Sequence, residues 1–282
     1  MRGCSCRGTA GFAHVSCLAE QAKILMDEAE YNNLSNKVKN ERWKRWWKCG
    51  LCEQSYHGVV KCALGWACWK TYLGRPEANW LRMSAMRQLG NGLSLAERNE
   101  EAFSVYEAEL SMLRRIGAPE DEFLVAQSNL ANTYEALGRL DEGLRLRQDA
   151  YSGSLKLNGE EHKTTLKAAS NYASSLNDLS RFEEARLLLR KTILVARQTL
   201  GDDSRVTLGM RKLYAQALYK DPVATLDDLH EAVDTLVETE QTARRVLGGA
   251  HPLVGGIGAS LRNARAALAA REASAGLGAL AL

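Results

Sequence analysis

The chain has 282 residues, of which 45% are hydrophobic and 25% are charged, and its formal net charge is +3 at pH 7. Such a composition is typical of a globular protein with a core, and the small charge excludes a nucleic-acid or membrane role that rests on the chain as a whole. No run reaches the roughly 18 apolar residues of a membrane helix, and the first residues lack the apolar core of a secretory signal. We therefore expect a soluble intracellular protein, cytoplasmic or nuclear, with no membrane span and no nucleic-acid partner.

The cysteines define the first region, because all seven lie within the first 68 residues. The stretch GCSCRGTAGFAHVSCL, residues 3–18, and the later WKCGLC contain three closely spaced pairs of thiols or imidazoles. Two ligands in one tight turn preorganise half of a tetrahedral zinc shell, and in a reducing compartment such a cluster indicates a metal site before a disulfide framework. The candidate Zn²⁺ ligands are Cys4, Cys6, His14, Cys17, Cys49 and Cys52.

The pattern C-x-C-x-G-x3-F-x-H-x2-C-L followed by C-x2-C resembles the later part of a RING-CH (RINGv) zinc finger. The resemblance implies crossed pairs of ligands, in which Cys4, Cys6, Cys49 and Cys52 share one zinc ion while His14 and Cys17 form half of a second site. It also implies E3 ubiquitin-protein ligase activity through a docked ubiquitin-conjugating enzyme. The family's first C-x2-C pair does not precede Cys4 here, and Gln21 replaces its usual tryptophan, which weakens the expectation of ligase activity.

A basic stretch with interleaved aromatic residues, KVKNERWKRWWK, spans residues 37–48. Cations between aromatic rings can bind single-stranded nucleic acid or an anionic membrane surface. The alternative, which we favour, is that Trp43, Trp46 and Trp47 pack the finger against the repeats that follow. The zinc finger then spans residues 1–57, and a connecting helix over 58–78 contains Cys62 and Cys68 as buried thiols.

The rest of the chain repeats itself. The segments LAERNEEA, ALGRLDEG and DLSRFEEA, at 95–102, 136–143 and 178–185, each place an arginine before an acidic pair and a small residue. Acidic pairs are typical of the first turn of a helix. Because Gly117, Gly159 and Gly201 lie 42 residues apart, the pattern predicts helix-turn-helix units of an α-solenoid.

The pattern Leu130-Ala131-x2-Tyr134…Gly143…Ala150 resembles a tetratricopeptide repeat, and LNGEEHKTTL with TLGDDSRVTL resembles the kinesin-light-chain subclass. The expected fold is mainly α: a small zinc-binding head, then a tetratricopeptide solenoid over residues 79–273 and a flexible tail over 274–282. We expect the solenoid to fold without the head. The repeats are predicted at 79–120, 121–162, 163–204 and 205–251.

The resemblance implies that the first helix of each repeat lines a concave, ligand-binding side. Polar side chains in the repeat register suit an extended peptide backbone, although a merely solvated face is the alternative. These predicted peptide-binding residues are Arg87, Asn91, Ser128, Asn132, Glu135, Ser170, Ser174, Asn177, Lys212 and Gln216.

No sequence motif of an enzyme is present: the chain lacks G-x4-G-K-[ST], H-E-x-x-H and G-x-S-x-G. The favoured function is a zinc-binding adaptor that recognises partner proteins or peptides. The alternative is a RING-CH-type E3 ubiquitin ligase whose repeats select the substrate.

Overall fold

The computed structural model describes residues 14–280, with side chains for residues 14–274. The chain divides into two compact units, Met1–Arg139 and Leu140–Leu282. The described residues are mainly helical, and the one isolated β-bridge among them joins Lys48 to Ser55. The helices of the first unit are α1 Val15–Tyr31, α2 Asn36–Trp43, α3 Gly58–Tyr72, α4 Trp80–Leu95, α5 Asn99–Ile116 and α6 Glu120–Ala136; those of the second are α7 Leu140–Asn158, α8 Lys163–Asp178, α9 Phe182–Leu200, α10 Arg205–Tyr219, α11 Leu226–Leu247 and α12 Pro252–Leu280. Among these helices, none combines the length and the apolar character needed to cross a membrane.

In the first unit, α4 and α5 form a helical hairpin, and the two helices pack closely at Gly90. Gly90 lies so close to α5 that a Cβ atom there would come within 2.5 Å of the Tyr106 ring. Ala102, the small residue at the end of the first repeated segment, is fully buried. Arg98 and Glu101 pair across the start of α5, and Gly117 ends the helix with a left-handed φ of 59°. The small residues and the acidic pair therefore have the roles that the repeat pattern predicts for them.

The helix α3 packs directly on α4, in the place that the second helix of a preceding repeat would take. The two backbones meet at glycines: a Cβ atom on Gly65 would lie 2.9 Å from the carbonyl oxygen of Gln88, and one on Gly92 would lie 3.0 Å from that of Lys61. Cys68, predicted to be a buried thiol, is fully buried in this contact. The connecting segment is therefore a structural layer of the first unit.

Tryptophans of the basic stretch complete the same core. Trp46 is 1% exposed, and the Trp43 ring lies 5.5 Å from that of Trp80 and 5.6 Å from that of Tyr72. Arg42 donates to the carbonyl oxygen of Leu25 and pairs with Glu28. The rings are thus occupied by packing between the head and the first repeat, which is the interpretation favoured from the sequence.

The second unit consists of two layers of helices, with α7, α9 and α11 on one side and α8, α10 and α12 on the other. Within the second layer, α10 contacts both α8 and α12. Leucines at helical spacing fill the core, as in Leu166, Leu189, Leu208 and Leu236, each at most 1% exposed. The helix α12 continues to Leu280, beyond the end predicted at residue 273.

Candidate functional site

The candidate ligands Cys49 and Cys52 lie in a tight turn that backbone hydrogen bonds hold together. The backbone N–H of Cys49 donates to the carbonyl oxygen of Gln54 at 2.9 Å, and the N–H of Glu53 donates back to Cys49 at 3.1 Å. The N–H of Leu51 points at the sulfur of Cys49, with an N···S distance of 3.4 Å. A hydrogen bond to the charged form of a group stabilises that form, so this N–H favours the thiolate that a metal ion needs.

The candidate ligands His14 and Cys17 lie at the start of α1. His14 is the N-cap residue of α1, and its Nδ1 lies 3.9 Å from the sulfur of Cys17. Val15 and Leu18, next to them in sequence, pack on the apolar cluster that contains Cys49 and borders Cys52.

Cys4 and Cys6 lie outside the residues that the structure describes. Within residues 14–280, no three His, Cys, Asp or Glu side chains converge as metal ligands.

In the first unit, two predicted peptide-binding residues are engaged by α5 and α6. The guanidinium of Arg87 donates to Glu109 and to Glu122, both at 2.8 Å. Glu109 is fully buried, and burial raises the pKa of its carboxyl group although Arg87 opposes the shift. Asn91 accepts a hydrogen bond from the Tyr106 hydroxyl at 2.8 Å. Arg87 and Asn91 therefore hold α4, α5 and α6 together.

Three further predicted residues lie on α6. Ser128 donates to the carbonyl oxygen of Leu124 one turn earlier, at 2.8 Å. Asn132 is exposed, and Glu135 is partly buried; both also take part in interactions within the protein. The helix thus presents a polar stripe at the positions that the repeat register predicts.

In the second unit, the predicted residues of α8 and α10 form a continuous polar strip with α12. Asn177 is 4% exposed, and its amide nitrogen donates to the backbone carbonyl of Leu213 on α10 at 2.9 Å. The amide nitrogen of Gln216 donates to the hydroxyl of Ser260 on α12 at 3.1 Å. Ser170 and Ser174 are half-buried along α8. We call this strip the α8–α10–α12 face; its residues are Ser170, Ser174, Asn177, Lys212, Gln216, Gly256 and Ser260.

Lys212 occupies the middle of the α8–α10–α12 face. A Cβ atom on Gly256 of α12 would lie 3.8 Å from the Nζ atom of Lys212. Burial lowers the pKa of Lys212, nearby Lys220 lowers it further, and Asp178 acts in the opposite direction. The ammonium group is therefore held close to α12 in surroundings that favour its neutral form.

Several residues of these networks were missed in the sequence analysis. Glu109, Glu122 and Tyr106 fix Arg87 and Asn91, and Ser260 fixes Gln216. The available signal was a glutamate on the apolar stripe of α5, since a carboxylate in a core requires a cation nearby.

The paired helices and their crossing residues define a helical repeat protein of tetratricopeptide type. Residues 122–198 match the family model described as tetratricopeptide repeat. No curated protein sequence matches the chain.

Solved structures with the same fold include a Podospora anserina protein described as a kinesin light chain with nearly identical TPR-like repeats. It is 17% identical to this chain, with a TM-score of 0.53, over 84% of this chain and 99% of that one. BtubC (BKLC) from P. vanneervenii is 14% identical, with a TM-score of 0.54, over 95% of this chain and 93% of its own. These similarities establish the repeat fold and its likeness to kinesin-light-chain repeats.

Proposed function

We propose that this protein is an adaptor that recognises partner proteins or peptides through its tetratricopeptide-type repeats. The observation that carries the proposal is the polar strip of the second unit, in which Ser174 and Gln216 stand at the same position of consecutive repeats, 42 residues apart. Both are half-buried, so they can donate to or accept from a bound backbone in a partly desolvated setting.

We assign the recognition surface to the second unit because the residues at the equivalent positions of α4 already bind side chains of α5 and α6. Arg87 and Asn91 are tied to Glu109, Glu122 and Tyr106, so releasing them for a ligand would leave buried polar groups unpaired. Among the described residues, Ser170 and Ser174 make no such bridge to a neighbouring helix. The amide nitrogen of Gln216 donates to Ser260, and its carbonyl oxygen can accept from a ligand.

The test starts from partners captured with the full chain and then titrated with purified variants. Gln216→Ala is expected to weaken a true partner about tenfold, because removing one hydrogen-bonding side chain from a partly buried contact costs about 1–3 kcal/mol. Gln198→Ala is the matched control, since Gln198 is exposed on α9, in the other helix layer. Equal binding by parent, Gln216→Ala and Ser174→Ala for every captured partner would refute the proposal.

A second candidate function is zinc binding by the head. Its support is the turn at Cys49 and Cys52, where a backbone N–H group is aimed at the sulfur of Cys49. The turn lies on the same apolar cluster as the residues beside His14 and Cys17. Cys4 and Cys6 would complete a four-thiolate shell with Cys49 and Cys52, as the RING-CH resemblance implies, and the bound ion would supply structural cross-linking.

Native mass spectrometry of the full chain tests the zinc proposal. We expect about one tightly held zinc ion per chain, and loss of that ion in Cys49→Ser, because a thiolate shell with one ligand removed is no longer closed. Cys62→Ala serves as the control, since Cys62 is a buried thiol of α3 rather than a proposed ligand. Absence of zinc from protein prepared with sufficient metal would contradict the proposal.

The ubiquitin ligase alternative gains no support from the comparisons. It stays a prediction of the RING-CH resemblance alone, and robust self-ubiquitination that disappears in Cys4→Ala would establish it.

A further inference from the structure

The positive charge of the chain is concentrated in the head. Residues 37–48 contain six lysines and arginines and one glutamate, a net charge of +5, whereas the whole chain has a net charge of +3. All residues outside this stretch therefore sum to −2. A charge that is segregated in this way attracts and orients an anionic partner towards one part of the protein.

Three of the six cations share one carboxylate. Lys44 pairs with Glu41 at 2.5 Å, and this hydrogen bond lowers the pKa of Glu41. Lys48 and Arg45 also act on Glu41 and lower its pKa further. A single negative charge cannot neutralise three positive ones, so a positive excess is left at the exposed end of this stretch.

The start of α2 adds two lysines to this excess. Lys37 and Lys39 lie in the first turn of α2, which contains no acidic residue. A cation there is unfavourable, because it lies at the positive end of the helix macrodipole. Among the described residues neither lysine forms an ion pair, whereas Arg42 in the last turn pairs with Glu28. An anionic partner explains these two lysines better than the stability of α2 does.

An exposed leucine lies next to the cations. Residues 49–54 form a short hairpin whose base is an antiparallel bridge from Lys48. Leu51, at the end of this hairpin, is 71% exposed. The guanidinium of Arg45 donates to the carbonyl oxygen of Cys49 at 3.2 Å. We call residues 49–54 the hairpin tip; it combines one exposed apolar side chain with two cations at its base.

This combination fits an anionic membrane surface better than a nucleic acid. Single-stranded nucleic acid stacks its bases on free aromatic rings. The tryptophans of the stretch are engaged: Trp46 is 1% exposed, and Trp43 packs on Trp80. The Nζ atom of Lys48 lies over the half-buried Trp47 ring, 5.2 Å from its centroid. An exposed leucine flanked by cations can instead enter the membrane interface while the cations bind lipid headgroups.

We propose that the hairpin tip binds the protein to an anionic membrane surface. Leu51 enters the interfacial region, and Arg45, Lys48 and the lysines of α2 bind the anionic headgroups. Apolar insertion and a basic patch together give the two signals that stable peripheral binding needs. The inference goes beyond the proposed function, since the head then places at a membrane the partner that the second unit recognises.

The test is cosedimentation of the full chain with two kinds of vesicle, one of phosphatidylcholine alone and one with about one third phosphatidylserine. We expect binding to the anionic vesicles only. Leu51→Ser should bind them about tenfold more weakly, because it buries no apolar side chain in the interface. Lys48→Gln should bind about fivefold more weakly, because it loses one cation near the surface. Leu51→Trp should bind at least as tightly as the parent, since tryptophan favours the membrane interface.

Two control variants make the same kinds of change in the second unit. Val223→Ser replaces a side chain that is 81% exposed, and Lys156→Gln removes an exposed cation. Each should change the affinity by less than about twofold at physiological salt, where distant charges are screened. Leu51→Ser should melt at the same temperature as the parent, because the Leu51 side chain is exposed and only its backbone N–H contacts Cys49.

Four results would overturn the proposal. The first is failure of the parent to bind anionic vesicles, or equal binding to both kinds. The second is binding of Leu51→Ser as tight as that of the parent, because the attraction would then be charge alone. The third is a loss in Lys156→Gln as large as in Lys48→Gln, which would indicate bulk charge. The fourth is binding to a single-stranded oligothymidine by a chain that does not bind the vesicles, which would assign the basic stretch to nucleic acid.

Discussion

The contact between α3 and α4 leads to a quantitative prediction for Gly65→Ala. The new methyl carbon would lie 2.9 Å from the carbonyl oxygen of Gln88 and 3.2 Å from the Cα of Leu89. Both neighbours are backbone atoms, so no side-chain rotation can relieve the overlap and the two helices must move apart. Overpacking of a core costs about 1–3 kcal/mol, and we take the upper end because backbone must shift. Alanine recovers up to about 1 kcal/mol through its better helix propensity. The expected net loss is about 2 kcal/mol.

The assay is urea denaturation followed by tryptophan fluorescence. All six tryptophans lie between residues 43 and 80, within the first unit, so their emission reports that unit alone. A loss of about 2 kcal/mol should lower the urea midpoint by about 1 M for a typical denaturant slope.

Gly209→Ala provides the matched control for this prediction. Gly209 is also helical, but a Cβ atom there would have no neighbour within 4 Å. The substitution should therefore stabilise the second unit by about 0.5–1 kcal/mol and leave the fluorescence midpoint unchanged. A fluorescence midpoint for Gly65→Ala equal to or above that of the parent chain would refute the reasoning about the helix contact.

Three further predictions concern the charged residues and the helix caps. Arg87→Ala leaves buried Glu109 without its cation and should cost the first unit about 3 kcal/mol in urea denaturation, whereas Ser170→Ala at the equivalent repeat position should change stability by less than about 0.5 kcal/mol. Burial raises the pKa of Glu109 above its usual 4.5, so the folded state takes up a proton at a higher pH than the unfolded state does. The unfolding free energy of the parent should therefore increase relative to that of Glu109→Gln as the pH falls towards 4.5. A difference in unfolding free energy between the two proteins that does not depend on pH would contradict this. Thr225→Ala removes the capping box of α11 and should cost about 1 kcal/mol, measured by circular dichroism as a lower midpoint of the second unit; an unchanged midpoint would show that the box contributes nothing.

The repeat architecture could be predicted from the sequence because it depends on local patterns. The 42-residue spacing of Gly117, Gly159 and Gly201 and the acidic first turns mark where helices begin and end, and the tetratricopeptide match confirms this prediction over part of the chain. The metal-ligand assignments and the peptide-binding set stay predictions.

The partners of individual side chains could not be predicted, because helical periodicity specifies which face is buried and not what it meets. Arg87 and Lys212 occupy equivalent positions in the register, yet Arg87 is bound by Glu109 and Glu122, whereas Lys212 feels the charge of Asp178 without forming an ion pair among the described residues. The difference comes from the neighbouring helices. Residue 109 on α5 is a glutamate, whereas the small residue Gly256 faces Lys212 from α12.

The close contact of α3 on α4 determines where this protein can be divided. Repeat arrays need a terminal element that covers the apolar side of the first repeat, and α3 covers that side here. A fragment that begins at residue 79, the predicted start of the repeats, would uncover Leu81, Ala85 and Leu89, all at most 3% exposed in the intact chain. Such an apolar strip promotes self-association. A natural or engineered fusion should therefore keep α3, and the Trp43 and Trp46 rings that pack on it, together with the repeats.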